Sequence, residues 1–412
     1  MNAQFIDASI KITNALDKKT KKDNGIFFTP KSIRTVLLER VIHWIKTLKI
    51  KVKLIVEPSC GSGEFLLDID KLFKNKVVIG IELNTTIYNE INKTINDNIV
   101  NNKLTILNED FMMYNIEGVN LNIGNPPFVV LTNKSINEKY KEYTSYISGR
   151  PNLYCLFLIK CLQNLDPKGG IVSFILPKSI LNSSYYNNVR KYIYESFTLL
   201  EIVDFTDYKD YIETDQGTIG IIITNKKNCS IEKSYTMNIK NNIIFCIDTL
   251  GMESLIKGST NLRELGLLVK TGPIVWNQHK EILTNDYTKP MLIYNSNVTN
   301  GKLCVKTFDN KEKKQYINID NDKIEKPPFI VVNRGNGNSK YILNGTIINE
   351  HNVTIENHLN IIYNVSNQDP MILEKIIKSF NDKRSQQFIE MYCGNNSLSK
   401  TELETIFPIY ID

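Results

Sequence analysis

Apolar residues in the first half of the chain follow two rhythms. Between Ile33 and Leu48 they recur at helical spacing (Ile33, Val36, Leu37, Val41, Trp44, Ile45), which predicts a helix with one buried face. Short, nearly unbroken apolar runs occur at Lys53–Val56, Val77–Ile81, Leu104–Leu107, Leu121–Ile123, Ile171–Leu176, Ile202–Asp204 and Thr218–Thr224. Runs this short, without polar alternation, predict strands covered on both faces. Helix-length patterns at Phe65–Phe73, Thr85–Ile99 and around Tyr154–Asn164 lie between them. Strands alternating with helices predict an α/β fold with a Rossmann-like, doubly wound, mostly parallel sheet.

After about residue 245 this rhythm stops. Short β-prone pieces (Met291–Tyr294, Phe329–Val332, Ile342–Leu343, Ile361–Tyr363) are separated by Asn, Gly and Lys clusters, and one clear helix follows near Pro370–Phe380. The expected organisation is an α/β domain over residues 1–245 and an irregular, β-rich domain over 246–412, with no internal repeat.

Composition narrows the class. The 412 residues are 42% hydrophobic and 23% charged, enough for two or three self-sufficient cores. A net charge of +6 is compatible with nucleic acid. No apolar run is long enough to span a bilayer, and Met1–Lys22 is amphipathic and lysine-ended, unlike a signal peptide, so a cytoplasmic protein without a membrane partner is expected. Seven cysteines (Cys60, Cys155, Cys161, Cys229, Cys246, Cys304, Cys393) without a C-x-x-C pair, and four scattered histidines, predict neither a disulfide framework nor a metal site.

The chemistry-bearing residues fall at strand ends. Val56-Glu-Pro-Ser-Cys-Gly-Ser-Gly-Glu-Phe65 runs from a strand through a glycine turn into a helix, where open α/β sheets bind nucleotides. Gly61 and Gly63 allow close backbone approach, while Leu66 replaces the third glycine of the dinucleotide fingerprint. Glu57 would repel a pyrophosphate and suits a cationic nucleoside such as S-adenosylmethionine. Cys60 reads as a small turn residue rather than a nucleophile. Glu82, roughly 20 residues past the turn, is placed to accept ribose hydroxyls. Asn108-Glu-Asp-Phe111 offers a carboxylate for an exocyclic amine and a ring for a purine face. In Gly124-Asn-Pro-Pro-Phe128 the prolines hold the backbone extended. The Asn125 amide oxygen and the Pro126 carbonyl can accept both hydrogens of an exocyclic amine while Phe128 stacks on the base. An adenine N6 lone pair is delocalised into the ring; two acceptors localise it and aim it at an electrophilic methyl.

Together, Gly25-Ile-Phe-Phe-Thr-Pro30, Glu57–Gly63, Ile81-Glu82, Asp110-Phe111 and Asn125-Pro-Pro-Phe128 resemble the gamma-class amino-methyltransferases of DNA, the TaqI-type N6-adenine enzymes of type II restriction–modification systems among them. The similarity continues through Tyr154-Cys-Leu-Phe157, Leu165–Gly170 and Phe174-Ile-Leu-Pro-Lys178. It implies a class I methyltransferase fold followed by a DNA-recognition domain, S-adenosylmethionine as cofactor, double-stranded DNA as substrate, a separately acting cognate restriction endonuclease and a monomeric enzyme. By resemblance, Thr29 and Glu57 hold the methionine end of the cofactor, with Cys60, Gly61 and Gly63 in the turn around it. Glu82 takes its ribose, and Leu83, Asp110 and Phe111 its adenine. Asn125, Pro126, Pro127 and Phe128 form the catalytic set. The second aromatic on a flipped base falls to Tyr211, with Tyr208 as its competitor, and Phe27 also touches the base. The family often has Tyr where Phe128 stands, which removes any role for that hydroxyl.

In the second half, Lys270-Thr-Gly-Pro-Ile-Val-Trp-Asn-Gln278 looks like a segment of several relatives. The loop Asn333-Arg-Gly-Asn-Gly-Asn338 supplies Arg334, Asn333 and Asn336 as DNA-contact candidates. The run Lys311–Lys314 reads as a solvated loop. Two alternatives stand beside the DNA-adenine enzyme. One is an RNA-base or protein-glutamine methyltransferase with the same Asn-Pro-Pro-aromatic chemistry; the other is a non-catalytic DNA-specificity component. A fused nuclease is not expected.

Overall fold

A computed structural model describes the chain except residues 1–3, 96–97, 150, 209–216, 228, 230, 232, 300, 311, 336–340, 366–368, 370, 393–396 and 412, and the side chains of 133, 137 and 321. It begins with α1 (Asp7–Ala15), α2 (Lys18–Asn24) and α3 (Lys31–Thr47). Alternation follows: β1 (Leu54–Glu57), α4 (Glu64–Leu72), β2 (Val77–Ile81), α5 (Thr85–Thr94), β3 (Lys103–Leu107), β4 (Leu121–Gly124), α6 (Asn133–Lys139), α7 (Leu153–Gln163), β5 (Ile171–Pro177), α8 (Asn187–Ser196), β6 (Thr198–Asp204) and β7 (Thr218–Thr224).

These seven strands form one sheet in the order β3-β2-β1-β4-β5-β7-β6. The pairings from β3 to β5 are parallel, and β7 is antiparallel to both β5 and β6. This is a class I methyltransferase fold: a Rossmann-like sheet with one reversed strand. Period-two geometry lets a continuous apolar strand feed two cores. In β5, Val172, Phe174 and Leu176 enter the cluster built on α7, while Ile171 and Ile175 enter the one built on α3, α4 and α5. The chain order reverses on either side of β1 and β4. Their C-terminal ends therefore open a crevice that no crossover connection covers.

Several elements differ from the pattern-based expectation. α5 ends at Thr94 rather than Ile99, where the side chains of Thr94 and Asn98 turn back onto the backbone carbonyls of Glu90 (2.9 Å) and Thr94 (2.6 Å). β6 starts four residues earlier, at Thr198, through an irregularity between Leu199 and Glu201. The short helices α1, α2, α6 and α8 carry too few apolar residues to stand out in the pattern. Ile342–Leu343 is not a strand; pairing with Phe329–Val332 begins at Gly345, because the Asn333 side chain closes the intervening loop.

The chain divides into two compact units, Met1–Met237 with Ile243–Ile247, and Asn238–Asn242 with Asp248–Asp412. The second unit has an antiparallel sheet in the order Leu267–Thr271, Leu359–Asn364, Phe329–Asn333, Gly345–Ile348. A mixed sheet follows the order Leu283–Thr284, Tyr316–Ile317, Met291–Ile293, Val353–Ile355. Helices Ile372–Phe380, Lys383–Tyr392 and Lys400–Thr405 lie late in the chain, where the pattern predicts one. Among the described residues, no helix is long and apolar enough to cross a membrane.

Gly63 is the residue on which the entry into α4 depends. Its φ is +78°, and a Cβ there would lie 2.0 Å from Ile95 Cδ1. Gly63→Ala should cost about 2–4 kcal/mol, from left-handed strain plus overpacking. Urea unfolding checks this; a loss below about 0.5 kcal/mol, the range of a neutral surface change, would show that the turn relaxes freely.

Candidate active site

The glycine turn is held from two sides. Gly63 N–H donates to the Cys60 carbonyl (2.7 Å) and Cys60 N–H to Ile81 O on the next strand (2.9 Å). Gly61 has φ +51°, with the Phe28 ring 3.1 Å from the position its Cβ would take. Glu82, at the end of β2, accepts the Gly61 N–H on Oε2 (3.0 Å) and the Asn84 N–H on Oε1 (2.7 Å). One carboxylate thus fixes both the turn and the start of α5 while each oxygen keeps a lone pair. Burial raises the Glu82 carboxyl above its usual range, and these two N–H donors oppose the rise.

Glu57 is the anomaly of the site. It is 2% exposed, and its Oε2 is buried without a hydrogen-bond partner among the described residues. Burial lifts its carboxyl well above normal, with the Arg34 guanidinium pulling the other way. A buried carboxylate with an orphaned oxygen is costly unless a cationic ligand completes it. The neighbouring Cys60 thiol is also raised by burial and by Glu57 and Glu82, which keeps it protonated, as befits a small turn residue.

At the end of β3, Asn108 donates to the carbonyls of Glu82 (2.8 Å) and Leu83 (3.1 Å), locking the loops together. Asp110 accepts Met112 N–H on Oδ1 (2.9 Å) and pairs through Oδ2 with Lys139 (2.6 Å). Phe111 packs against Phe157 with centroids 5.0 Å apart. Leu83, 65% exposed, turns an apolar wall to the same space.

The β4 end carries Asn125-Pro-Pro-Phe128. The Asn125 Nδ2 donates to the Phe27 carbonyl (3.1 Å), and its Oδ1 is buried with no partner among the described residues. Ser59 Oγ donates to the Asn125 main-chain carbonyl (3.2 Å), tying the glycine turn to this loop. Phe128 meets Tyr154 edge to face, centroids 5.8 Å apart. The segment 25–30 lies directly on this loop: Gly25 has φ +64°, and a Cβ there would stand 2.8 Å from Phe128 N. Arg34 anchors the same segment, donating to Thr29 O and pairing with Glu64 (2.5 Å) and Asp68 (2.8 Å).

These groups line one cavity of about 370 Å³. Of the residues singled out in the sequence, Phe27, Thr29, Glu57, Cys60, Gly61, Glu82, Leu83, Asp110, Phe111, Asn125 and Pro127 line it, whereas Gly63, Pro126 and Phe128 do not. Gly63 instead serves the entry to α4. Tyr208 packs edge-on against Phe205 and is not part of the lining; Tyr211 and Asn336 lie outside the described residues. Sequence reasoning missed Arg34, Ser59 and Lys139. Arg34 and Lys139 sit on helices with no motif around them, while Ser59 lies inside a motif that was read for its glycines. The lining holds six acids (Asp23, Glu57, Glu64, Glu82, Glu109, Asp110) against two bases (Arg34, Lys139), and both bases are already paired. That imbalance favours a cationic ligand.

In the second unit, Asn333 is corrected. It is buried, and its amide is spent on Ile342 O (2.9 Å) and Asn344 N–H (2.8 Å), so it is unavailable to a base edge. Arg334 gives one guanidinium N–H to Asn357 O (3.0 Å) and is half-buried. Lys313 departs from the solvated-loop expectation: its ammonium lies 4.1 Å from the Tyr294 centroid and 4.7 Å from that of Phe308, a cation–π arrangement.

Residues 24–211 match the family model described as Eco57I restriction-modification methylase. The chain is 26% identical over 411 residues to the Type II methyltransferase M.CvrRI of Paramecium bursaria Chlorella virus XZ-6E, covering 98% of this chain and 99% of that protein. It is 32% identical over 224 residues to the Modification methylase CviBIII of Paramecium bursaria Chlorella virus NC1A, covering 54% and 55%. It is 24% identical over 466 aligned positions to the Type II methyltransferase M.BsuBI of Bacillus subtilis, covering 98% and 91%. The fold is that of a class I methyltransferase, a Rossmann-like sheet with one reversed strand. The chain is homologous to the Eco57I-type methylases and Type II methyltransferases.

Glu57→Gln separates a ligand-binding acid from a structural one. A carboxyl raised on folding contributes stability that is complete below its unfolded pKa and is lost as pH rises through the folded value. The neutral amide escapes that loss, so the variant should unfold at a higher temperature than wild type at neutral pH. Its affinity for S-adenosylmethionine should fall about 10–100-fold, the worth of one charge-assisted hydrogen bond. Calorimetry with and without the cofactor reads both. A variant that loses stability and keeps its affinity would show that Glu57 is structural.

Proposed function

We propose that the protein is a site-specific DNA methyltransferase that transfers the methyl group of S-adenosylmethionine to N6 of an adenine rotated out of the duplex. A separate endonuclease of the same specificity would complete a restriction–modification pair. The observation that carries this reading is Asn125: its amide nitrogen is committed to Phe27 O, and its buried oxygen is left without a partner beside the cavity.

The residues present fit the cofactor. The orphaned Glu57 Oε2 matches an ammonium, Glu82 keeps lone pairs for ribose hydroxyls, and Leu83 and Phe111 wall a space suited to a purine. Thr29, buried beside Arg34, would face the carboxylate end. Asp110 would accept the exocyclic amine on a lone pair that Met112 and Lys139 leave open. When bound, the cofactor supplies a methyl group on a positively charged sulfur.

The chain's own contribution is positioning. Asn125 Oδ1 accepts one hydrogen of the target N6 amine, and the Pro126 carbonyl accepts the other. Drawing on both N–H bonds raises electron density on nitrogen and takes its lone pair out of conjugation with the ring, so that it is localised for bonding to the methyl carbon; one of the two N6 hydrogens then leaves as a proton to solvent. Phe27, which lines the cavity, would hold the ring while this happens, joined by Phe128 only if its ring turns from Tyr154 toward the base. No covalent intermediate with the protein is needed, in keeping with a Cys60 thiol held protonated. Extrusion of the base costs a few kcal/mol, offset by stacking and these hydrogen bonds. The likeness to a restriction-modification methylase family and to Type II methyltransferases supports DNA modification; in this proposal the second unit reads the recognised sequence, with Arg334 as its candidate contact.

Incubation with methyl-labelled S-adenosylmethionine and unmodified genomic DNA, followed by nucleoside analysis, tests the proposal. Label should appear as N6-methyladenine at one short recurring sequence. Label in RNA or protein alone, or on cytosine, would overturn it. Asn125→Ala should lower the single-turnover rate about 10²–10³-fold with cofactor affinity retained, the usual loss for one aligned electrostatic contact. A near-normal rate would remove Asn125 from the chemistry.

A further inference from the structure

The charge on this chain is distributed against expectation. The first unit holds 30 basic and 25 acidic residues, a net of +5, while the second holds 20 and 19, a net of +1. The unit expected to read DNA is thus nearly neutral, and the unit with the acidic cavity carries the excess of positive charge. Within that unit, one basic cluster is continuous with the cavity. Helix α2 reads Lys-Lys-Thr-Lys-Lys-Asp-Asn; its last two residues, Asp23 and Asn24, and the segment Gly25 to Thr29 that follows line the cavity.

The helix is set in place. Asp17 caps it, accepting Thr20 N–H (2.9 Å), and Lys21 is buried, its ammonium donating to the Thr13 carbonyl (3.0 Å). Gly25 ends it in the left-handed conformation, and Ile26 N–H returns to Lys21 O (2.9 Å). With Lys21 turned inward, Lys18, Lys19 and Lys22 face solvent and make no ion pair among the described residues. α1, which precedes it, buries Ala8, Ser9 and Ile12 in the unit's own packing, so this amphipathic segment has no apolar face left for a lipid surface. Three solvent-facing lysines, without an ion pair among the described residues, on the helix that runs directly into the lining of an acidic cavity suit a ligand with a neutral or cationic part inside and a polyanionic part outside.

We propose that Lys18, Lys19 and Lys22 of α2 contact the DNA phosphates flanking the extruded adenine. α2 is then a phosphate clamp on the catalytic unit, separate from sequence readout in the second unit. The proposal rests on the DNA-methyltransferase reading above. The α2 lysines neutralise backbone charge near the site of extrusion, and the acidic cavity behind them rejects phosphate and admits the base. Because phosphate contacts carry no sequence information, the clamp strengthens binding equally at cognate and non-cognate DNA.

The test compares wild type with the triple variant Lys18→Gln/Lys19→Gln/Lys22→Gln on a fluorescein-labelled random-sequence duplex over a salt series. Release of counterions from three phosphates should make the plot of log affinity against log salt shallower by about 2.7. Affinity at low salt should fall about tenfold or more, with S-adenosylmethionine affinity and thermal unfolding unchanged. A control triple, Lys74→Gln/Lys76→Gln/Lys103→Gln, makes the same charge change at the N-terminal ends of β2 and β3, the opposite edge of the sheet, and should alter the slope far less. Replacement of the three α2 lysines by arginine should restore wild-type binding. An unchanged slope in the α2 variant, or an equal change in the control, would overturn the clamp while wild-type methylation of DNA stands. Wild-type protein that neither binds nor methylates duplex DNA would overturn both readings. Loss of binding to phosphatidylserine vesicles with DNA binding intact would overturn the clamp in favour of a membrane contact.

Discussion

The hydrogen bond from the Asn125 side chain to the Phe27 carbonyl is the constraint around which the site is organised. An amide has a donor end and an acceptor end, and only the acceptor end is useful against an exocyclic amine. By taking the Nδ2 hydrogen at 3.1 Å, Phe27 O leaves the oxygen as the free end. That bond requires the segment 25–30 to lie against the loop 125–128, and Gly25 permits the approach because a side chain there would strike Phe128 N. Arg34, pinned by Glu64 and Asp68, holds the far end of the same segment through Thr29 O. Ser59 fixes the other flank by donating to the Asn125 carbonyl. The glycine turn, the N-terminal segment and the β4 loop therefore act as one support for a single amide.

Charge is the second organising feature. The fold brings Glu57, Glu82 and Asp110 to adjacent strand ends at the point where the sheet order reverses. Burying carboxylates is unfavourable, and the raised carboxyls of Glu57 and Glu82 register that cost. Glu82 recovers part of it through two backbone N–H groups, whereas Glu57 keeps an orphaned oxygen. Instability of this kind at a site is what a cationic ligand relieves on binding.

Much of the first unit was legible in the sequence because its candidate site residues sit at the ends of strong strands. Buried strands announce themselves as apolar runs, and residues that follow them directly, such as Glu57, Glu82, Asp110 and Asn125, inherit a predictable location. Roles carried by tertiary contact were not legible. Gly63 shares a motif with Gly61 but serves the entry to α4, because only the structure shows Ile95 against it. Phe128 belongs to the motif yet packs on Tyr154 outside the cavity lining. Ser59 and Arg34 act through partners about 66 and 30 residues away, a distance at which periodicity has no reach. In the second unit, short strands and Asn-rich loops gave weak patterns. Asn333 looked like a reader because Asn can bond a base edge; it bonds its own loop instead, as Asn commonly does in turns.

The claim that the segment 25–30 sets the catalytic amide is tested most directly by Gly25→Ala, with single-turnover methyl transfer and cofactor affinity measured on the same preparation. A Cβ at Gly25 pushes the segment off the Asn125–Phe128 loop and frees the amide to rotate. The transfer rate should fall about 10²-fold, in the range of a lost aligned contact, and S-adenosylmethionine affinity should fall about tenfold less than that, because Arg34 still holds the Thr29 end of the segment. A rate equal to wild type, or a parallel fall in rate and cofactor affinity, would contradict it.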